Sequence, residues 1–189
     1  MVTEKASITI ESVFDSESKS HRYSLKKVWD DKLKQAAVIS IAPSSDSGVS
    51  ADLTCQLIQN NLNGLGFGGF VLTNLFSQVG CDFKKLKNTD GLHNKDTDKA
   101  ILASCEKADT IIICWGGTSS KSKVIAKRAE EVVKMITKYA SKIHFLSDGT
   151  RAELHPLTPA LRHHWQLVQA KVTKDVPAGD WNGSVEVVE

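Results

Sequence analysis

At 189 residues, 41% of them hydrophobic and 24% charged, the chain suits a single globular domain with a sizeable core and leaves little room for a second. A formal charge of +2 is too mild to announce a nucleic-acid surface by itself, and no apolar run approaches the roughly 20 residues of a membrane helix. The polar start "MVTEKASITIES" lacks the charged-then-apolar order of a signal peptide, so a cytoplasmic protein that does not engage membranes is expected.

In chain order, "ASITIESVF" and "HRYSLKKVW" alternate apolar and polar residues around a polar turn, which predicts an antiparallel hairpin. "QAAVISIA" is a continuous apolar run ending before Pro43, the pattern of a strand buried on both faces of a parallel sheet. "ADLTCQLIQNNLNGLG" places Leu53, Leu57, Ile58 and Leu62 at helical spacing, and the glycines from Gly64 to Gly69 end it. "GFVLTNLF" is a second buried strand. "DTDKAILASCEKA" predicts a helix capped by Asp96 or Thr97, followed by the strongest strand in the chain, "DTIIICWGG". "SKVIAKRAEEVVKMITKYA" is a long amphipathic helix and "KIHFLSD" a fourth strand.

Strands alternating with helices imply βαβ units with right-handed crossovers. The expected fold is an α/β protein, a three-layer α/β/α sandwich. Its central sheet has four mainly parallel strands, at residues 38–41, 70–72, 111–114 and 143–146, with an N-terminal β-hairpin added. One domain spans residues 1–189, with its core at about 21–165 and residues 1–6 and 171–189 peripheral. The cysteines Cys55, Cys81, Cys105 and Cys114 form no C-x-x-C pair, so reduced thiols are expected, with no metal and no cofactor. "RHHWQL" likewise lacks the i, i+4 histidine pair of a helical zinc site.

Open α/β sheets collect ligands outside the carboxyl ends of their strands. Here those ends carry "APSSDSG", "TNLFS", "CWGGTSS" and "SDGTRAELHPLTP", so four strand ends bring small, polar or His-Pro residues to one edge. The lysine-rich stretches "FKKLKN" and "SSKSKVIAKR" suit either a phosphate-facing rim or a solvated surface.

The ordered set "HRYSLKKVW", "ISIAPSSD", "TNLF", "IICWG" and "LHPLTP" resembles a bacterial and phage family defined only as a domain of unknown function. That family's first motif is similar to N-P-S-x-A-D, where this chain has Ala42 before Pro43. The segments "SIAPSS", "VLTNLF", "IIICWGG" and "HPLTP", in that order, are also distantly similar to the uracil-DNA glycosylase superfamily, with Leu157 in place of the usual Ser after His-Pro. That likeness implies a parallel α/β/α sandwich acting on a nucleobase in DNA or in a nucleotide.

Splitting a base from deoxyribose builds positive charge on the sugar and negative charge on the departing base, so a carboxylate is wanted on one side and a donor on the other. His155 suits the donor as a neutral imidazole, and Asn74, which both donates and accepts, suits reading of a pyrimidine edge. Asp46 or Asp52 suits orientation of the water, although Asp52 also stands where a helix cap is wanted and Asp46 fits a turn equally well. Backbone N–H groups near Ser44 and Ser45 suit a phosphate, and Pro43 is expected among the substrate-binding residues beside them. Trp115 and Gly116 are expected in the crevice wall, while Arg22 and Tyr23 are substrate-side contacts by the family likeness. Two functions follow: a glycosylase-like hydrolase with Asp46 and His155 across the scissile bond, or a non-catalytic module that binds nucleic acid, a nucleotide or a partner protein through the same crevice.

Overall fold

The computed structural model describes residues 1–44, 49–82, 88–117 and 122–170. Among them lie the strands β1 (Thr9–Phe14), β2 (Arg22–Val28), β3 (Lys34–Ser40), β4 (Phe67–Asn74), β5 (Thr110–Ile113), β6 (Ile143–Ser147) and β7 (Gln166–Gln169), and the helices α1 (Leu53–Gly64), α2 (Lys95–Lys107) and α3 (Lys123–Ile136). All seven strands form one mixed sheet in the order β1-β2-β4-β3-β5-β6-β7. This corrects the expected four-stranded sheet with an added hairpin. The inner strands β4, β3, β5 and β6 do run parallel, but β2 continues the sheet antiparallel to β4 and β7 closes the other flank antiparallel to β6.

The hairpin joins the sheet because the chain around Gly68 and Gly69 has no side chains in the way. A Cβ on Gly68 would overlap the Asp30 carbonyl, and one on Gly69 would lie 2.7 Å from the Lys27 carbonyl oxygen. Glycine is what lets β2 approach β4 this closely.

The sheet separates two cores by strand parity. Ala36, Val38, Phe70, Leu72, Ile112 and Cys114 face α1, where they pack with Ile58, Leu62 and Trp165. Ala37, Ile39, Ile111 and Ile113 face α2 and α3, packing with Ile101, Ile125 and Val132.

Helix ends differ from expectation in two places. Asn94 caps α2, its side chain accepting from the N–H groups of Asp96 and Thr97, while Thr97 answers from the third helical position in a capping box. The expected long helix from Ser122 divides at Thr137, where a 3-10 segment, Thr137–Lys142, follows α3. Thr137 Oγ1 donates to the Val133 carbonyl at 2.8 Å, a bond that competes with the backbone ladder.

Candidate functional site

The order of the inner strands creates the crevice. From β3 the chain crosses through α1 to β4 on one side, and from β4 through α2 to β5 on the other. The loops after β3 and β5 therefore diverge at a topological switch point, where a ligand has room at the sheet's carboxyl edge. Pro43 is buried and Ser44 half-buried just beyond the end of β3, whose neighbour β5 leads into Cys114 to Gly117.

His155 reaches this edge on the loop after β6. Asp148 anchors that loop, with its carboxylate accepting from the N–H groups of Thr150 and Arg151 and from the Arg151 guanidinium. These donors hold the Asp148 pKa well below the usual carboxylate range, the Arg151 side chain contributing most. The loop then seats against β5 because Gly116, at φ +61°, presents only hydrogen: a Cβ there would lie 2.8 Å from His155 Cβ.

The imidazole is set by one hydrogen bond. The Leu157 N–H donates to His155 Nδ1 at 3.1 Å, so Nδ1 is the acceptor and the neutral ring carries its proton on Nε2. Burial pulls the His155 pKa down, and the negative charge of Asp52 opposes that shift. The half-buried ring thus offers an Nε2–H donor at neutral pH.

Asn74 ends β4 two residues beyond Leu72, which places its side chain on the α1 face. Only 3% of the residue is exposed, and its Nδ2 has no hydrogen-bond partner among the described residues. Arg22 is also on this face, for an irregular reason. Phe14 pairs with Arg22 and Val13 with Ser24, so Tyr23 is the extra residue of a β-bulge. The bulge aligns Arg22 with Leu25 and Lys27 toward α1, where both cations lie near Cys55.

At the start of α1, Asp52 is the N-cap, its Oδ1 accepting from the Cys55 N–H at 2.6 Å. Burial pushes the Cys55 thiol pKa up, and the charge of Lys27 works against it.

The fold therefore brings His155, Asn74, Arg22 and Asp52 to the carboxyl edge of the parallel strands, on the α1 side of the sheet. Two expected wall or contact residues are not among them. Trp115 follows the parity of Ile111 and Ile113 and is buried in the α2–α3 core, on the opposite face. Tyr23 is turned by the bulge toward α2, where its hydroxyl accepts from Asn94 Nδ2 at 3.0 Å. Gly116 makes room for His155 rather than lining a wall. Ser45 and Asp46 lie outside the described residues, as do the lysines Lys84, Lys85, Lys87 and Lys121.

Sequence reasoning missed Lys27, whose parity with Leu25 was the available signal. It also missed Glu153, a half-buried carboxylate at φ +57° whose pKa is raised by burial; a local pattern carries no sign of either property. Among the described residues no group of three or more His, Cys, Asp or Glu is placed to hold a metal ion, and no helix is long and apolar enough to cross a membrane.

A family model described as a protein of unknown function (DUF1643) matches residues 22–157. No curated protein and no solved structure matches the chain.

Proposed function

We propose that this chain, which belongs to the DUF1643 family of proteins of unknown function, is a nucleobase-recognising hydrolase that cleaves the N-glycosidic bond of DNA or a nucleotide. The observation that carries the reading is the Asn74 amide nitrogen, buried with no hydrogen-bond partner among the described residues, on the same face and edge as the His155 Nε2–H. A buried orphan donor costs about 1–3 kcal/mol. A base carbonyl arriving at the crevice removes that cost, which makes Asn74 a reader of the base edge.

In this reading water adds to the anomeric carbon as the bond to the base breaks, and the electron pair leaves with the base. The neutral His155 donates from Nε2 to the departing anion, in a site dry enough that its own pKa is depressed. Arg22, buried on the same face, supplies positive charge toward a phosphate. Asp46 is the carboxylate of the sequence-based scheme. The four unpaired thiols agree with a cytoplasmic setting.

Oligonucleotides containing uracil, modified pyrimidines and mismatches, together with a panel of nucleotides, test the activity by release of free base and appearance of abasic sites. His155→Ala should lower the single-turnover rate about 100- to 1000-fold with little change in Kd. Asn74→Ala should reduce discrimination between bases. Tight binding of these ligands with no base release would instead establish the non-catalytic binding module.

A further inference from the structure

We propose that the free edge of β1 is a docking strand for a second copy of this chain, the two β1 strands pairing antiparallel across a two-fold axis at Ile8. β1 ends the sheet with β2 as its neighbour, so its outer row of N–H and C=O groups has no ladder among the described residues. Natural edge strands are commonly blunted by proline, by an inward-pointing charge or by a bulge that twists the edge away. Residues 5–14, "KASITIESVF", contain no proline, and the bulged residue beside Val13 and Phe14 is Tyr23 of β2. Ile8, Ile10 and Val13 are 43%, 36% and 45% exposed, which lines an open backbone edge with apolar side chains. The opposite edge, β7, offers four residues with polar ends.

Charge selects the occupant and its register. In a two-fold antiparallel pair the axis must pass through a residue, because a half-step sets side chains of opposite faces against each other. With the axis at Ile8, Glu11 stands opposite Lys5 of the second copy, and the symmetry repeats that pair. Within the chain Glu11 already stands opposite Lys26 of β2, so one carboxylate lies between two ammonium groups in a row that crosses three strands. Ile8 then meets its own copy and Ile10 meets Ala6, while the exposed residues 5–8 join the strand they precede. An axis at Ser7 or Thr9 sets Lys5 against Thr9 or Val13, and one at Glu11 sets two carboxylates face to face. An axis at Ile10 offers Lys5 Asp15, whose Oδ1 already accepts from the His21 N–H at 3.1 Å.

Sedimentation velocity of the full chain across the micromolar range should show a concentration-dependent dimer. Ile8→Lys places two ammonium groups at the axis and should leave a monomer. Lys5→Glu and Glu11→Lys should each weaken association about tenfold, since each turns two attractive pairs into two repulsive ones, and the double variant should associate like the parent. All three positions are exposed, so the circular dichroism of every variant should match the parent's. Oxidation with diamide reads the register: Ile8→Cys should give a covalent dimer above the parent's background, while Thr9→Cys and Ile10→Cys should not, because only the axis residue faces its own copy.

A parent that stays monomeric overturns the proposal, as does a dimer that Ile8→Lys leaves intact. Failure of the charge-exchanged double variant to recover association, or cross-linking at Ile10 in place of Ile8, overturns the register and with it the charge argument that makes a second copy the occupant.

Discussion

Replacing Gly116 with Ala should uncouple the His155 loop from the sheet. Two costs add at this position. An L-residue held in the left-handed region at φ +61° costs about 1–2 kcal/mol. The new methyl would also meet His155 Cβ at 2.8 Å and its backbone nitrogen at 3.0 Å, and overpacking of this kind costs about 1–3 kcal/mol more. Gly80 isolates the first cost, since it has φ +71° and nothing among the described residues within 4 Å of an added Cβ. Gly80→Ala should therefore lose only the backbone part, and the difference between the two variants reads the His155 contact. Urea denaturation measures both losses, and each kcal/mol corresponds to about 2–4 °C in Tm for a chain of this size. In Gly116→Ala the His155 ring resonances should move as well. Equal losses in the two variants, with His155 unshifted, would refute the claim that Gly116 seats the loop.

Arg128→Met should destabilise from the far face, because Arg128 is buried, its Nε donates to the Leu75 carbonyl at 3.0 Å, and its guanidinium pairs with Asp98 and Glu131. The orphaned carbonyl alone should cost about 1–3 kcal/mol, and a loss under about 0.5 kcal/mol in denaturant titration would show that this residue does not hold the segment after Asn74. Stability should also fall with pH below the ordinary histidine range. Burial holds the folded pKa of His93 and of His155 below the unfolded value, with Arg128 adding to the effect at His93, so their contribution is full above that value and is lost as pH falls through the folded ones. Glu153, raised by burial, acts oppositely as it titrates, so the histidine effect is read as the change in slope across the ordinary histidine range when the two rings are replaced. A double His93→Gln, His155→Gln protein should show a flatter profile there; an identical slope would assign the loss to other groups.

The inner strands are legible because a doubly buried strand needs an unbroken apolar run, and "AAVIS" and "TIII" supply it. The hairpin is legible because one-sided burial writes period two. Its union with β4 is not, since it depends on Gly68 and Gly69 meeting Lys27 and Asp30 across some 40 positions of sequence. β7 escapes for another reason: "QLVQ" is four residues long with polar ends, and only its pairing with β6 makes it a strand. At the site, His155 and Asn74 follow from their places at strand ends. A bulky ring beside Gly116 suggests a wall at Trp115, whereas the alternation from Ile111 and Ile113 sends it to the other core. The tautomer of His155 depends on a backbone N–H two residues on, and no residue pattern encodes that.

The bulge at Tyr23 leaves a trace in the spacing of residues. Arg22 and Leu25 share a face although an odd number of steps separates them, which a regular strand forbids. In relatives whose second strand is regular, the same two roles must fall on positions an even number of steps apart. Aligning such chains by the arginine alone would match residues of opposite layers, setting a site cation against the tyrosine that supports α2. A gap placed at Tyr23 or Ser24 restores the correspondence. Leu25 and Lys27, tied to β4, are the fixed points from which that count starts.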